Sequence, residues 1–471
     1  MKVKWDENFD VIVIGAGFAG LSAAIEAKNS GASVLILEKM KGPGGNSLIS
    51  DGGVAAAGTV EQADAGINDS VDLMYGDMMK AGLGINHCEL VHTLVEQSKE
   101  AYEWSKDYLG VKYLDRIDIF GGHSVARCFT AENISGVTII KKLMKKVKEL
   151  SIQVRFQSLL SDFTFDKDHK VTGVVFLDNY EYKSQTGGSL QYIKADKSII
   201  LATGGFGSDV QFRSAQDPRL TENVKTTNQP FSTSEALKIG LKAGAAPVQL
   251  SHIQLGPWAS PDETGYGDGP SFAEYILFQY GIIVDPASGR RIVNELGDRK
   301  SLSDRILEVG SPCIGIADSA AVEDSGWDLT RCLAKKVVKT FDSLNSLSEE
   351  YKIDEKELEH TIKRFNKFVV LKKDSDFEKP ILEKAKEITT PPYYAIRLWP
   401  KVHHTMGGLR INSKTQVINL DGDIIKGLYA AGEVSGGVHG ASRLGSCAIT
   451  ECFVFGRIAG RNAAGDLSQS I

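Results

Sequence analysis

Two textures of hydrophobic and polar positions succeed one another along this chain. Asp10 to Gly20, DVIVIGAGFAG, is an apolar run that ends in glycines, and the LSAAIEAKNSGA that follows is patterned as a helix. A second apolar run, Ser33 to Leu37, ends in Glu38. Asp69 to Tyr108 reads as a polar helical stretch, and short strands are predicted around Gln153 to Phe165, Val171 to Leu177 and Tyr192 to Leu201. Tyr180 to Gly188 is the polar, turn-rich link of a surface hairpin. From about 246 to 402 the pattern changes to a Pro/Gly-rich loop (Gly256 to Pro270), an apolar strand (Gly281 to Val284) and charged helical segments between Leu333 and Lys373. Residues 403 to 471 return to strands that run into glycines and finish in a helix, Ala448 to Ala464.

The first apolar run carries Gly15-x-Gly17-x-x-Gly20, and Glu38 closes the next strand 23 residues after Gly15. A βαβ unit in this order binds a dinucleotide. Gly15 makes the tight turn, Gly17 lets backbone approach the pyrophosphate, Gly20 lets helix pack on strand, and Glu38 takes the ribose. A ligand-free glycine turn would account for the triplet but not for the strand, helix and acid around it. Three further junctions repeat the pattern: Gly42 to Gly53, Ile199 to Gly205, and Gly427 to Glu433. Four such junctions on one ligand favour a long, extended cofactor, FAD, over a nicotinamide that comes and goes. The expected contacts are Ala16, Ala19, Lys39, Gly44, Gly45, Asn46, Ser47, Gly52, Gly53, Ala202, Thr203, Gly204, Gly432 and Glu433.

The fold class expected is α/β, a Rossmann-like FAD-binding domain with an inserted α+β capping domain. The FAD-binding domain would comprise residues 1–245 and 403–471, and the capping or substrate domain residues 246–402. A length of 471 residues suits two or three domains with ample core. Net charge of -6 on a mixed surface argues against a nucleic-acid partner. The six cysteines form no CxxC or CxxCH, so neither an attached c-type haem nor a zinc or iron-sulfur site is expected. Their scatter suits a reducing compartment, and Cys447 reads as a small packing residue. No apolar signal region precedes the first strand and no run of 18 apolar residues occurs, so the expectation is cytoplasmic with no membrane span; a chain trimmed of its leader would read the same way. The basic run Lys141 to Lys148 is the solvated face of a helix.

Lys401 to Leu409, KVHHTMGGL, and Glu433 to Leu444, EVSGGVHGASRL, bring imidazoles, glycine turns and Arg443 together. Such residues can hold a carboxylate against a redox ring: a guanidinium fork and imidazole for the anion, glycines for close backbone approach.

With GAGFAG at Gly15, GGNS at Gly44, GGHSVAR at Gly121, ATGGFG at Ala202, RRIVNELGDR ending at Arg299, HHTMGG at His403 and AAGEVSGGVHGASRLG at Ala430, the chain resembles the FAD-dependent fumarate reductase and succinate dehydrogenase flavoproteins nearly end to end. It is most similar to the soluble flavocytochrome c type fumarate reductases, here without their haem domain. The resemblance implies reduction of a carbon-carbon double bond conjugated to a carboxylate: hydride from flavin N5 to the β-carbon and a proton to the α-carbon. Arg299 falls at the proton-donor position, Glu274 in its relay, and His403 and Arg443 at a carboxylate clamp; Ser446, Ala448 and Ile449 fall beside the flavin. A guanidinium, with a pKa above about 12, must pass on a relayed proton. His404 and His123 read as structural neighbours. Asn46 matches the position of the histidine that carries covalent flavin in the membrane complexes, so noncovalent FAD is expected.

The far end of the substrate site departs from the family pattern. The histidine that grips the second carboxylate is Gly256, followed by Pro257 and Trp258; His252 lies four residues earlier. The relay threonine and arginine are Ala273 and Leu277, with Tyr275 between them and Glu274 retained. A second carboxylate beside Glu274 without a cation would cost several kcal/mol. The expected substrate is therefore a small unsaturated carboxylate with a neutral, apolar or aromatic far end, such as acrylate, methacrylate, a cinnamate or urocanate. The alternatives are a true soluble fumarate reductase, a 3-ketosteroid dehydrogenase-like flavoenzyme and an electron-relay flavoprotein. The electron donor is not identified by any motif.

Overall fold

A computed structural model describes residues 4–185 and 187–465. The first three residues of the polar N-terminal segment, Thr186 in the polar link and residues 466–471 lie outside it. The chain divides into two compact units: one of residues 1–221, 229–253 and 404–471, the other of residues 222–228 and 254–403. The break at 253/254 thus lies eight residues beyond the expected 245/246, and the one at 403/404 leaves His403 in the smaller unit instead of the larger. The reason is local: Pro247 and Val248 pair antiparallel with Leu409 and Gly408, which ties the segment to the larger unit. The short return of 222–228 into the smaller unit left no trace in the sequence pattern.

The larger unit is built on strand β1 (Glu7–Ile14), helix α1 (Phe18–Asn29) and strand β2 (Val34–Leu37). β1 lies at the centre of a parallel sheet, between β2 and the long strand Ser189–Leu201. Gln153–Arg155 extends the sheet beyond β2, and Ile424–Ala430 pairs parallel with the other edge of Ser189–Leu201. The hairpin Leu159–Phe165 and Val171–Asp178 adds antiparallel to the first half of that same long strand. Val11, Ile12 and Val13 are fully buried, as a strand covered on both faces must be, and each contributes roughly 1.5–3 kcal/mol of burial.

The final helix, Cys447–Ala464, packs on α1 at unusually short range. A Cβ on Gly456 would stand 2.6 Å from the Ala19 carbonyl oxygen, and one on Gly460 would stand 2.2 Å from that of Ala23. Glycines one turn apart therefore let the two backbones touch, and α1 is held firmly where its N-terminus can serve a ligand.

The smaller unit carries a four-stranded antiparallel sheet in the order Ile282–Val284, Cys313–Asp318, Tyr393–Leu398, Val338–Phe341. Alternation along these strands separates two apolar layers. Ile282, Ile314, Ile316 and Ala395 face the helices Leu344–Tyr351 and Glu355–Leu371, whereas Ile283, Cys313, Ala317 and Ile396 face a cluster that contains Trp258, Phe272, Ala273, Ile276 and Leu277. An antiparallel sheet with its helices segregated in this way is the α+β capping architecture. Among the described residues, no helix is long and apolar enough to cross a membrane.

Candidate active site

In the larger unit, β1 runs into Gly15 at φ +103°, where a Cβ would stand 2.3 Å from the Ala202 carbonyl oxygen. Only glycine meets both demands. Gly20 closes the same turn from below, since its Cβ would fall 2.0 Å from the Gly15 carbonyl oxygen. Gly17 caps the N-terminus of α1, the end of a helix that attracts phosphate. Glu38 ends β2 with its carboxylate turned inward, accepting from Ala16 N at 2.9 Å and Met40 N at 2.9 Å. Burial pushes its carboxyl above the usual range.

The second glycine stretch folds onto this turn. Gly44 N donates to the Ala16 carbonyl at 2.9 Å, Phe18 N donates to Ser47 Oγ at 3.1 Å, and Asn46 Oδ1 accepts from Gln229 N at 2.8 Å. The result is a cleft with about 940 Å³ of empty space, part of it continuous with solvent. Of the expected contacts, Gly15, Ala16, Gly17, Ala19, Glu38, Lys39, Gly44, Gly45, Asn46, Ser47, Ala202, Thr203, Gly204 and Glu433 line it. A glycine-edged cradle, a helix N-terminus and an acid at the end of β2 in one long cleft fit FAD. Ser158, Phe231 and Thr233 line it too, although no local motif marked them.

The other expected contacts form a different group. Gly52 and Gly53 lie at the start of the strand Gly53–Ala55, and a Cβ on Gly53 would stand 2.5 Å from Ser446 Oγ. Ser446 caps the helix that carries Ala448 and Ile449, and Gly432 sits at φ +75° beside Ala19. His123 reaches this region with Nε2 2.9 Å from the Gly445 carbonyl oxygen, and Arg127 anchors it to Asp77 at 2.6 Å and Asp69 at 2.8 Å. Cys447 is fully buried and its thiol is pushed up to about 12 by burial, which suits packing rather than thiolate chemistry.

Glu433 is held among buried polar groups. Thr405 N donates to its Oε1 at 2.9 Å and His404 Nδ1 lies 3.4 Å from the same oxygen. Burial pushes the Glu433 carboxyl up to about 7. His439 Nε2 sits 3.0 Å from Glu451 Oε2 and packs edge-on to His404 at 5.7 Å. The His404, His439 and Glu451 ligand-type atoms lie within 4.8 Å of one another. Arg443, 6% exposed, directs Nη1 to the Leu444 carbonyl oxygen at 2.9 Å.

The smaller unit gathers the other candidates. Arg299 begins the helix Arg299–Val309, capped by Asp298, whose carboxylate accepts from Lys300 N and Ser301 N. Arg299 Nη2 donates to Glu274 Oε1 at 3.1 Å, and its guanidinium carbon lies 4.2 Å from the Trp258 ring centroid. Trp258 meets the His403 ring edge-on at 5.1 Å. His403 Nδ1 is 2.9 Å from Thr227 Oγ1, and Asn228 Nδ2 donates to the His403 carbonyl at 3.0 Å. These two partners come from the 222–228 excursion that sequence reading missed.

Four positions expected in the substrate pocket have different surroundings. Gly256 faces Trp258: a Cβ there would be 3.0 Å from both Cε2 and Cζ2 of the indole. Ala273 is fully buried in the apolar layer with Trp258. Tyr275 instead stacks on Trp327 at 3.8 Å, and Leu277 sends its Cδ atoms toward Gly281 and Gly315 of the sheet. Both are engaged in packing the capping unit. Leu277 ends a widened helical turn, Ala273–Leu277, that no residue in AEYIL announces.

Comparison with known proteins agrees with this architecture. Residues 10–449 match the FAD binding domain family. The chain is 39% identical over 466 residues to the acrylate reductase flavoprotein subunit of Shewanella woodyi, covering 98% of this chain and 92% of that protein. It is 36% identical over 461 residues to a fumarate reductase (cytochrome) of Shewanella frigidimarina, covering 97% of this chain and 77% of that protein. Among solved structures, the open conformation of a flavocytochrome c3 fumarate reductase superposes with a TM-score of 0.79 at 33% identity, covering 98% of this chain and 78% of that one. The chain therefore belongs to the FAD binding domain family, within the fumarate reductase and succinate dehydrogenase flavoprotein superfamily, and is a FAD-dependent oxidoreductase.

Proposed function

We propose that this protein reduces the carbon-carbon double bond of a 2-enoate that carries no second carboxylate, with acrylate as the leading substrate. The observation that carries the reading is the arrangement of Arg299, hydrogen-bonded to Glu274 and stacked on the indole of Trp258, opposite a glycine at position 256. Similarity to a protein named for acrylate supports the same choice.

Bound FAD supplies the hydride that the β-carbon receives. Arg299 delivers a proton to the α-carbon from one guanidinium N–H. Because a neutral guanidine is short-lived, Glu274, 3.1 Å away, takes up a fresh proton from water and passes it to Arg299. Stacking on Trp258 removes water from one face of the guanidinium and fixes its plane, so the proton is presented in one direction. His403, oriented by Thr227, is the imidazole offered to the substrate carboxylate. FAD is held noncovalently: an amide at Asn46, engaged with Gln229 N, offers no nucleophile for a flavin bond. Electrons reach the flavin from a separate donor.

The test is anaerobic reoxidation of the dithionite-reduced, FAD-loaded protein by acrylate, methacrylate, cinnamate, urocanate and fumarate. Fast reoxidation by acrylate and slow reoxidation by fumarate is expected. Preference for fumarate would overturn the substrate assignment, and inertness toward all five would overturn enoate reduction itself. Release of all flavin on acid precipitation tests the noncovalent mode.

A further inference from the structure

Trp258 is 1% exposed, yet its surroundings are unlike those of an ordinary core tryptophan. One face carries the Arg299 guanidinium at 4.2 Å, and the His403 ring meets it at 5.1 Å with an interplanar angle of 81°. These are the groups assigned to the proton and to the carboxylate. Its Cε2 and Cζ2 edge occupies the space into which a side chain at residue 256 would project, at 3.0 Å from an ideal Cβ. Its Nε1–H is buried and has no hydrogen-bond partner among the described residues. An indole packed only for stability would avoid that orphan donor, whose burial costs about 1–3 kcal/mol.

We infer that Trp258 is the specificity-determining residue of the site: its indole blocks the region beyond the substrate β-carbon and so restricts the enzyme to acrylate-sized 2-enoates. The inference rests on the enoate reductase reading and narrows it, because cinnamate and urocanate carry a ring on the β-carbon. Their ring would have to displace an indole held on one side by a cation–π contact with Arg299 and met by the His403 ring. Close-packed interiors yield to such overpacking only with backbone or rotamer shifts. A second carboxylate fares worse, since the indole offers it one weak donor and Arg299 is already bonded to Glu274.

The experiment uses the FAD-loaded protein and its Trp258→Ala and Trp258→Phe variants, each checked for FAD content and unfolding temperature. Reoxidation of the reduced flavin is compared for acrylate, 2-hexenoate and cinnamate. Binding of propionate and hexanoate to the oxidised protein, read from the flavin difference spectrum, gives a measure independent of electron flow. Trp258→Ala lowers every rate, because Arg299 loses its stacking partner. The acrylate to 2-hexenoate ratio should nevertheless fall by about tenfold or more, with a parallel gain in hexanoate binding. Trp258→Phe, which keeps most of the bulk and lacks the N–H, should stay within about threefold of the wild-type ratio. An unchanged ratio in Trp258→Ala overturns the inference while leaving enoate reduction intact. So does a Phe variant as relaxed as Ala, which would assign selectivity to the N–H instead of the bulk. Wild-type protein inert to all three enoates overturns both this inference and the reading beneath it.

Discussion

Arg299 Nη2 donates to Glu274 Oε1 at 3.1 Å, across 25 residues of sequence, with side-chain exposures of 16% and 11%. The pair is shielded but not sealed. A carboxylate so placed neutralises the guanidinium, and the proposed role of Arg299 as acid needs it to carry protons from solvent as well.

Arg299→Ala should lower reoxidation by acrylate by about 10²-fold or more, the range of a lost general acid, with FAD content unchanged. Glu274→Gln should lower it less, because Arg299 keeps its charge and loses only its route to a fresh proton. Stopped-flow flavin absorbance distinguishes the two, and equal rates for wild type and Arg299→Ala would remove arginine from the chemistry.

Restoring histidine at residue 256 should not by itself restore fumarate reduction, because its Cβ would meet the indole at 3.0 Å. Gly256→His combined with Trp258→Ala should gain fumarate reoxidation by about tenfold or more over either single variant. Additive single effects in this cycle would show that the two positions do not share space.

Glu433 makes folding pH-dependent. Its ordinary value is 4.5 and burial raises it to about 7 in the folded protein. Between these values the folded state binds more protons than the unfolded chain, so its contribution is full below 4.5 and is lost as pH rises through about 7. Unfolding temperature at saturating FAD should therefore fall across this window more steeply for wild type than for Glu433→Gln, which keeps an acceptor for Thr405 N. Parallel profiles would place the titration elsewhere.

Gly15→Ala should fail to accumulate folded, FAD-loaded protein, since its φ of +103° and the Ala202 carbonyl at 2.3 Å both exclude a Cβ. Gly17→Ala meets Ser47 Oγ at 3.3 Å and the Gly44 carbonyl oxygen at 3.8 Å, so the chain should fold but bind FAD more weakly, a methyl now standing at the phosphate approach. Far-UV circular dichroism with flavin content separates these outcomes.

What the sequence alone determined is local in origin. The order β1, glycine turn, α1, β2, Glu38 is legible because each step depends on neighbours within a few residues: apolar runs make strands, positive φ demands glycine, and the acid directly follows the strand that places it. The lining residues from Gly15 to Ser47 follow from that order, and the family motifs extend it to Ala202 and Glu433. Tertiary structure decided the rest, because it depends on packing between distant segments. Thr227 and Asn228 reach His403 from an excursion that only the fold creates. Leu277 lies against the sheet at the end of a widened helical turn, and Tyr275 finds Trp327 across 52 residues. Above all, Gly256 and Trp258 read in sequence as a lost histidine and a gained aromatic two residues on. In three dimensions the indole occupies the very space that the glycine vacates, against an arginine 41 residues away, and no periodicity along the chain encodes that contact.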